Sequence, residues 1–239
     1  MNKIPQEDLI PLQLEQRLVL PQRNGRVYVA SGVRGRHQDL TAALSAVCFD
    51  PENDLLVMMG NIIDDAGDDS FSVFSMLQHD WCYALMGTEE AWLLAGLCSA
   101  SSGDDIMTKA WRKRGAKWFG DAVTSHGASE VGQALKQIHN LPLTLEIRRN
   151  GQNIRFVHGV PPGLNWESAS FRSETSFSES CVFGDLMSLN IGMDIRGAAT
   201  TLVTSELINE PVIRFNARVL PRQPKTLQLI ELGHLLNRG

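Results

Sequence analysis

The residues with chemistry to offer sit in short polar loops that close apolar runs. Ser31-Gly32-Val33-Arg34-Gly35 follows Arg26 to Ala30. Gly60-Asn61-Ile62-Ile63-Asp64-Asp65 follows Leu55 to Met59. Gly87-Thr88-Glu89-Glu90 follows Trp81 to Met86, and His158-Gly159 follows Ile154 to Val157. The carboxylates of these loops are Asp64 and Asp65 after the second run and Glu89 and Glu90 after the third, and Asp64 beside a helix start reads most simply as a loop-capping residue. A hydrolytic two-metal centre asks for more. Ions roughly 3.5–4 Å apart repel each other, and anionic bridging ligands must offset that repulsion. These loops supply glycine, arginine, a neutral asparagine, threonine and one histidine. Glycine offers no side-chain ligand, and the Arg34 guanidinium stays cationic. Such loops favour binding over metal-assisted hydrolysis.

Other combinations are weaker. His158 alone reads more simply as a hydrogen-bonded structural histidine than as a metal ligand or base. Ser125-His126 places a hydroxyl beside an imidazole, but neighbours in sequence do not make a nucleophile–base pair. Ser31 follows a strand at a tight turn, yet lacks the Gly-x-Ser-x-Gly frame of a nucleophile elbow. Lys109 to Trp118 mixes cations with tryptophans, a combination that can stack bases and bind a phosphate backbone. The plainer reading is a solvated helix face with tryptophan beneath it.

The elements that must position the loops are legible from periodicity. Arg26 to Ala30, Asp54 to Gly60 and Trp81 to Met86 read as strands. The middle one is a continuous apolar run, as expected of a parallel strand buried on both faces. Helical patterns follow at Leu40, Ala43, Leu44 and Val47, at Phe71 to Gln78, and at Glu89 to Leu97. Strand, loop and helix recur in that order, which argues for an α/β sandwich. Asp104 to Asn140 reads as helical. Leu143 to Ile147 and Ile154 to Val157 flank Asn150-Gly151, a strong hairpin signal. Pro161 to Ser180 reads as a long loop, and Thr200 to Val203, Pro211 to Phe215 and Thr226 to Leu232 as further strands.

Composition bounds the function. The chain has 239 residues, 43% hydrophobic and 21% charged, with a net charge of -5. A sizeable core is available, and a generic nucleic-acid-coating protein is disfavoured. No apolar run is long enough for a membrane span. Residues 1–22 show no secretory leader pattern and read as an N-terminal extension or arm, preceding a single domain over residues 23–239. The apolar residues among Leu9 to Leu20 suit docking on the chain's own domain, on a partner or in a dimer. Cys48, Cys82, Cys98 and Cys181 form no Cys-x-x-Cys pair and read as buried thiols of a cytoplasmic protein.

Taken in order, the loops resemble the motifs of the lambda-phage type of bacterial serine/threonine protein phosphatase, within the calcineurin-like metallophosphoesterases. Ser31 to Gly35 stands for Gly-Asp-x-His-Gly. Gly60 to Ala66 stands for Gly-Asp-x-x-Asp-Arg-Gly, and Met86 to Glu90 for Arg-Gly-Asn-His-Glu. Gly115 to Phe119 resembles Gly-Gly-x-Trp, and Val157-His158-Gly159 the strand end that delivers a metal-binding histidine. The last motif, Gly-His-Thr-Pro, falls best on Thr204 to Leu207, where the following strand also matches; a different register would use Gly184-Asp185. The resemblance runs from about Arg26 to Leu232. It implies an α/β fold, a four-layer α/β/β/α sandwich of two mixed sheets.

The departures bear on activity. The resemblance puts metal ligands at Gly32, Arg34, Asn61, Thr88, His158 and Ser205, where only His158 keeps the family's type. Asp65 and Met86 stand where arginines would grip phosphate, and Glu89 where a general-acid histidine would stand. Its partner carboxylate, Asp64, is kept. The expectation is a pseudophosphatase that binds a protein partner or an anion. Asp64, Glu89 and His158 are vestigial catalytic candidates; Arg34, Asn61, Asp65, Thr88 and Ser205 are cleft residues; His158 and Asn61 are residual metal candidates. No cofactor is expected. The alternative is a divergent phosphoesterase, for which Mn2+ or a similar ion would be needed. The third reading is a nucleic-acid module built on residues 109–118. A protein partner is expected, a homo-oligomer is left open, and nucleic acid is disfavoured.

Overall fold

The computed structural model describes residues 17–64, 69–102, 105–149, 152–158, 200–204 and 227–232. The elements run β1 (Arg17–Val19), β2 (Val27–Ser31), α1 (His37–Ala46), β3 (Leu55–Met58), α2 (Ser70–Ser75), a 3-10 turn (Met76–Gln78), β4 (Cys82–Ala84), α3 (Thr88–Ser102), α4 (Asp105–Gly115), α5 (Lys117–His126), α6 (Ala128–His139), β5 (Thr144–Arg149), β6 (Gln152–Val157), β7 (Thr200–Thr204) and β8 (Gln228–Glu231). They form an α/β fold on two mixed sheets, ordered β4-β3-β2-β8 and β1-β5-β6-β7.

In the first sheet β2, β3 and β4 are parallel, and β8 pairs antiparallel with β2. Every residue of β2 and β3 is buried. Alternate side chains point to opposite faces, and both faces are covered. Tyr28, Ala30, Leu56, Met58 and Ala84 enter a core shared with the helices. Val27, Val29, Leu55 and Val57 enter a second core with Leu145, Ile147 and Phe156 of the other sheet. This is why these strands carry apolar runs without alternation.

The helical layer is held by side chains at three- and four-residue spacing, such as Leu40 and Leu44 on α1 and Val131, Ala134 and Ile138 on α6. Such spacing lines one helical face, and fully burying a leucine- or valine-sized side chain contributes about 1.5–3 kcal/mol. Trp111 is buried among them, whereas Lys109, Arg112 and Lys113 are exposed. Trp111 of that basic run is therefore core, with little ring face left for stacking on a base, and Trp118 is partly buried against the same core.

In the second sheet β5 and β6 form the expected hairpin. Arg149 lies opposite Gln152, leaving two residues for the turn. β1 adds a parallel edge to β5 and β7 a parallel edge to β6. Residues 17–20 of the N-terminal segment are thus docked on the chain itself, with Leu20 buried between the sheets. Along β5, Leu145 and Ile147 face the inter-sheet core, while Thr144 and Glu146, on the other face, are buried too. The expected loop Pro161 to Ser180 and strand Pro211 to Phe215 lie outside the described residues.

The expectation of buried thiols needs correction. Cys82 is buried and its thiol is pushed well above the usual range by burial, but Cys48 and Cys98 are exposed. Cys48 follows α1 in a left-handed turn at φ 51°, and Cys98 lies on the outward side of α3. Cys181 lies outside the described residues. Among those residues, no helix is long and apolar enough to cross a membrane.

Candidate functional site

Parallel strands end side by side, so the loops after β2, β3 and β4 open at one edge of the sheet, where α/β folds gather ligands. Apolar anchors fix the loops: Val33, Ile62 and Ile63 are essentially fully buried between their polar neighbours. Backbone bonds then join the first loop to the second. Arg34 N–H donates to the Asn61 carbonyl at 3.0 Å and Gly35 N–H to the Ile62 carbonyl at 2.7 Å.

The second and third loops are joined by a side chain. Glu90, on the first turn of α3, is completely buried. Its Oε2 accepts from Asn61 N–H at 2.8 Å and Gly87 N–H at 3.0 Å. Its Oε1 accepts from Ile62 N–H at 2.8 Å and Ile63 N–H at 3.3 Å. Burial is the larger influence on its acidity and pushes Glu90 up to about 7, against these donors.

The fourth loop delivers His158 from the other sheet. A Cβ added at Gly60 would stand 2.7 Å from His158 Nδ1 and 3.0 Å from Gly87 Cα, so three loops meet where glycine leaves room. Gly60 also has φ 81°, a conformation glycine adopts freely. His158 is buried, and Nδ1 donates to the Met59 carbonyl at 2.6 Å, which places the ring proton on Nδ1. Burial, with Arg34's charge adding to it, holds the imidazole below its usual pKa despite that carbonyl, which favours the neutral ring.

Arg34 Nη1 lies 3.3 Å from Asp64 Oδ2, with both side chains partly buried. Asn61 Oδ1 accepts from Glu89 N–H at 3.0 Å. Arg34 and Asn61 are non-glycine residues at φ 43° and 50°. Left-handed backbone is costly for side-chain-bearing residues and persists where surrounding contacts dictate it. Asp64 is tied into its loop by Ser70, whose hydroxyl contacts both its N–H and its carbonyl. Thr88 and Glu89 begin α3, half-buried at the loop edge. Met86 is fully buried in the core shared with the helices. Asp65 and Ser205 lie outside the described residues.

The structure thus brings Arg34, Asn61, Asp64, Glu89 and His158 to one sheet edge. The residue missed by sequence reasoning is Glu90. It occupies the last position of the third motif, which was its available signal.

The two divalent ions implied by the resemblance do not fit the described donors. Among the described residues, no three His, Cys, Asp or Glu side chains lie together as ligands for an ion. His158 has the second-sphere carbonyl common for a ligating histidine, but Asp64 faces a guanidinium and both Glu90 oxygens face backbone donors. A cavity of about 210 Å³ lies near the opposite strand ends, beside Val27 and Leu55. Its arginines are engaged, Arg23 with Asp80 and Arg148 with Glu146.

No protein-family profile matches the chain. It is 31% identical over 158 residues to serine/threonine-protein phosphatase 1 of Salmonella typhimurium (strain LT2), covering 66% of this chain and 68% of that protein. It is 30% identical over 140 residues to serine/threonine-protein phosphatase 2 of Escherichia coli (strain K12), covering 59% of this chain. The match spans 61% of that relative's length. Among solved structures, a protein serine/threonine phosphatase from Saccharomyces cerevisiae aligns with a TM-score of 0.46 at 12% identity, over 72% of this chain and 52% of that one. On the Salmonella relative, this chain belongs to the bacterial serine/threonine protein phosphatases of the calcineurin-like metallophosphoesterase superfamily.

Proposed function

We propose that the chain is a catalytically degenerate member of its family, a pseudophosphatase that acts by binding a protein partner or an anionic ligand. The observation that carries this reading is the Arg34–Asp64 contact at 3.3 Å, in the loop pair where the family resemblance puts metal ligands. Two-metal hydrolysis draws its nucleophile and its charge stabilisation from ions held by anionic ligands. Arg34 stands at a position where the resemblance puts a ligand, and the neighbouring Asn61 amide oxygen accepts from Glu89 N–H. No cofactor is needed for the binding role.

The test is manganese-dependent turnover of a generic phosphomonoester by the purified chain, with His158→Ala in parallel and circular dichroism to confirm that both are folded. Both proteins are expected to match the protein-free blank. Turnover by the wild type that His158→Ala abolishes would overturn the reading and establish a rebuilt active site.

A further inference from the structure

We propose that Arg34 is a tethered cation that stands in for a divalent ion, so that the loop cluster is neutralised from within and excludes metal. The proposal deepens the pseudophosphatase reading and rests on it. Its first support is that Arg34 is placed and not merely nearby. Its N–H is bonded to Asn61, its backbone is left-handed, and Gly32 and Gly35 on either side have φ of 66° and 70°. A Cβ at Gly35 would stand 3.0 Å from the Asp64 carbonyl, so the first loop lies directly against the second. The turn therefore delivers the guanidinium at the Asp64 carboxylate.

The second support is the state of the other donors. Glu90 satisfies Asn61, Ile62, Ile63 and Gly87 backbone N–H groups, and Asn61 Oδ1 satisfies Glu89 N–H. In these contacts each oxygen faces a proton donor of the protein. A guanidinium does not lose its proton in a protein, so its charge cannot be switched off to admit an ion. A metal placed beside Asp64 would meet that fixed positive charge at close range.

The experiment uses the full chain after dialysis against EDTA. Mn2+ binding is followed by electron paramagnetic resonance and thermal midpoints with and without Mn2+. The wild type is expected to bind no stoichiometric Mn2+ and to melt at the same temperature in Mn2+ and EDTA. Arg34→Lys keeps the charge and should also exclude the ion. Arg34→Gln removes it, and should melt lower in EDTA. It should bind Mn2+ at least about tenfold more tightly, a change one nearby charge can produce at an effective dielectric of about 20. Stoichiometric Mn2+ binding by the wild type overturns the proposal, as does an identical Mn2+ response in wild type and Arg34→Gln. Should Arg34→Gln fail to fold, Arg34→Gln with Asp64→Asn is measured. Removing both charges should restore folding, and failure to do so overturns the charge account. Mn2+ binding without turnover sinks this proposal alone. Turnover in a chain that binds no Mn2+ sinks the pseudophosphatase reading alone.

Discussion

The carboxylate of Glu90 satisfies backbone donors from two loops at once, so its loss exposes more than one hydrogen bond. An amide in its place keeps one oxygen and turns N–H toward N–H at the other. Two stranded buried donors would cost roughly 2–6 kcal/mol, and Glu90→Gln should lower the urea midpoint accordingly. The effect should depend on pH. Burial pushes Glu90 up to about 7 from an ordinary value of 4.5. Between those values the folded chain holds a proton that the unfolded chain has released. Stability contributed by this group is therefore full below the window and falls as pH rises through it. Glutamine does not titrate, so the cost of Glu90→Gln should be larger below the window than above it. A cost that is flat or rises with pH would mean that the four N–H donors outweigh burial and keep Glu90 charged. Residue type and periodicity could not single out this residue, because Glu89 and Glu90 are adjacent acids about 100° apart around α3, and only its place at the end of the third motif could. Which one faces inward depends on how the helix docks, not on residue type. Glu89, the one singled out from sequence, is at the loop edge.

Between elements, Arg26 and Asp54 form a joint at the start of β2 and β3. Asp54 accepts from Arg26 N–H at 2.7 Å and Arg26 Nη2 at 2.8 Å, and Arg26 also reaches the Val47 and Cys48 carbonyls after α1. Burial acts to raise Asp54, but the Arg26 side chain and the Asp50 and Arg26 N–H groups outweigh it and hold the carboxyl below its ordinary value. This contribution is therefore present above the ordinary value of 3.8 and lost as pH falls through the folded one. Asp54→Asn should lower the denaturation midpoint at neutral pH, and the gap to wild type should close in acid. A gap that persists at the lowest pH would assign the loss to packing. The parallel strands themselves were legible because burial on both faces demands apolar runs. The hairpin was legible because its turn is local. The edge strand β1 was not, since its pairing with β5 joins residues such as Arg17 and Thr144, far apart in sequence, with no turn to announce it. The loops of the site were legible through their strand ends and motif order, but their stitching by Glu90 and by Arg34–Asp64 is tertiary.

At the scale of the whole molecule, the site exists only while the two sheets stay face to face. Arg34, Asn61, Asp64 and Glu89 come from loops of the first sheet, and His158 follows β6 of the second. The core between the sheets includes Val29, Val57, Leu145, Ile147 and Phe156, all at most 3% exposed. Phe156 sits two residues before His158 and is fully buried there. Truncating a buried phenylalanine to alanine removes its transfer free energy and leaves a cavity, for about 3–5 kcal/mol. Phe156→Ala should lose stability on that scale. The described tryptophans, Trp81, Trp92, Trp111 and Trp118, instead belong to the helical core on the opposite face of the first sheet. If β2 and β3, buried on both faces, couple the two cores into one cooperative unit, tryptophan fluorescence must report the damage done at Phe156. Urea unfolding of Phe156→Ala followed by fluorescence and by far-ultraviolet circular dichroism should then give one coincident transition, shifted to lower urea in both signals. A fluorescence midpoint left at the wild-type value while the dichroism midpoint falls would show that the sheets separate before the helical layer unfolds. In that case His158 would leave the loop cluster without global unfolding.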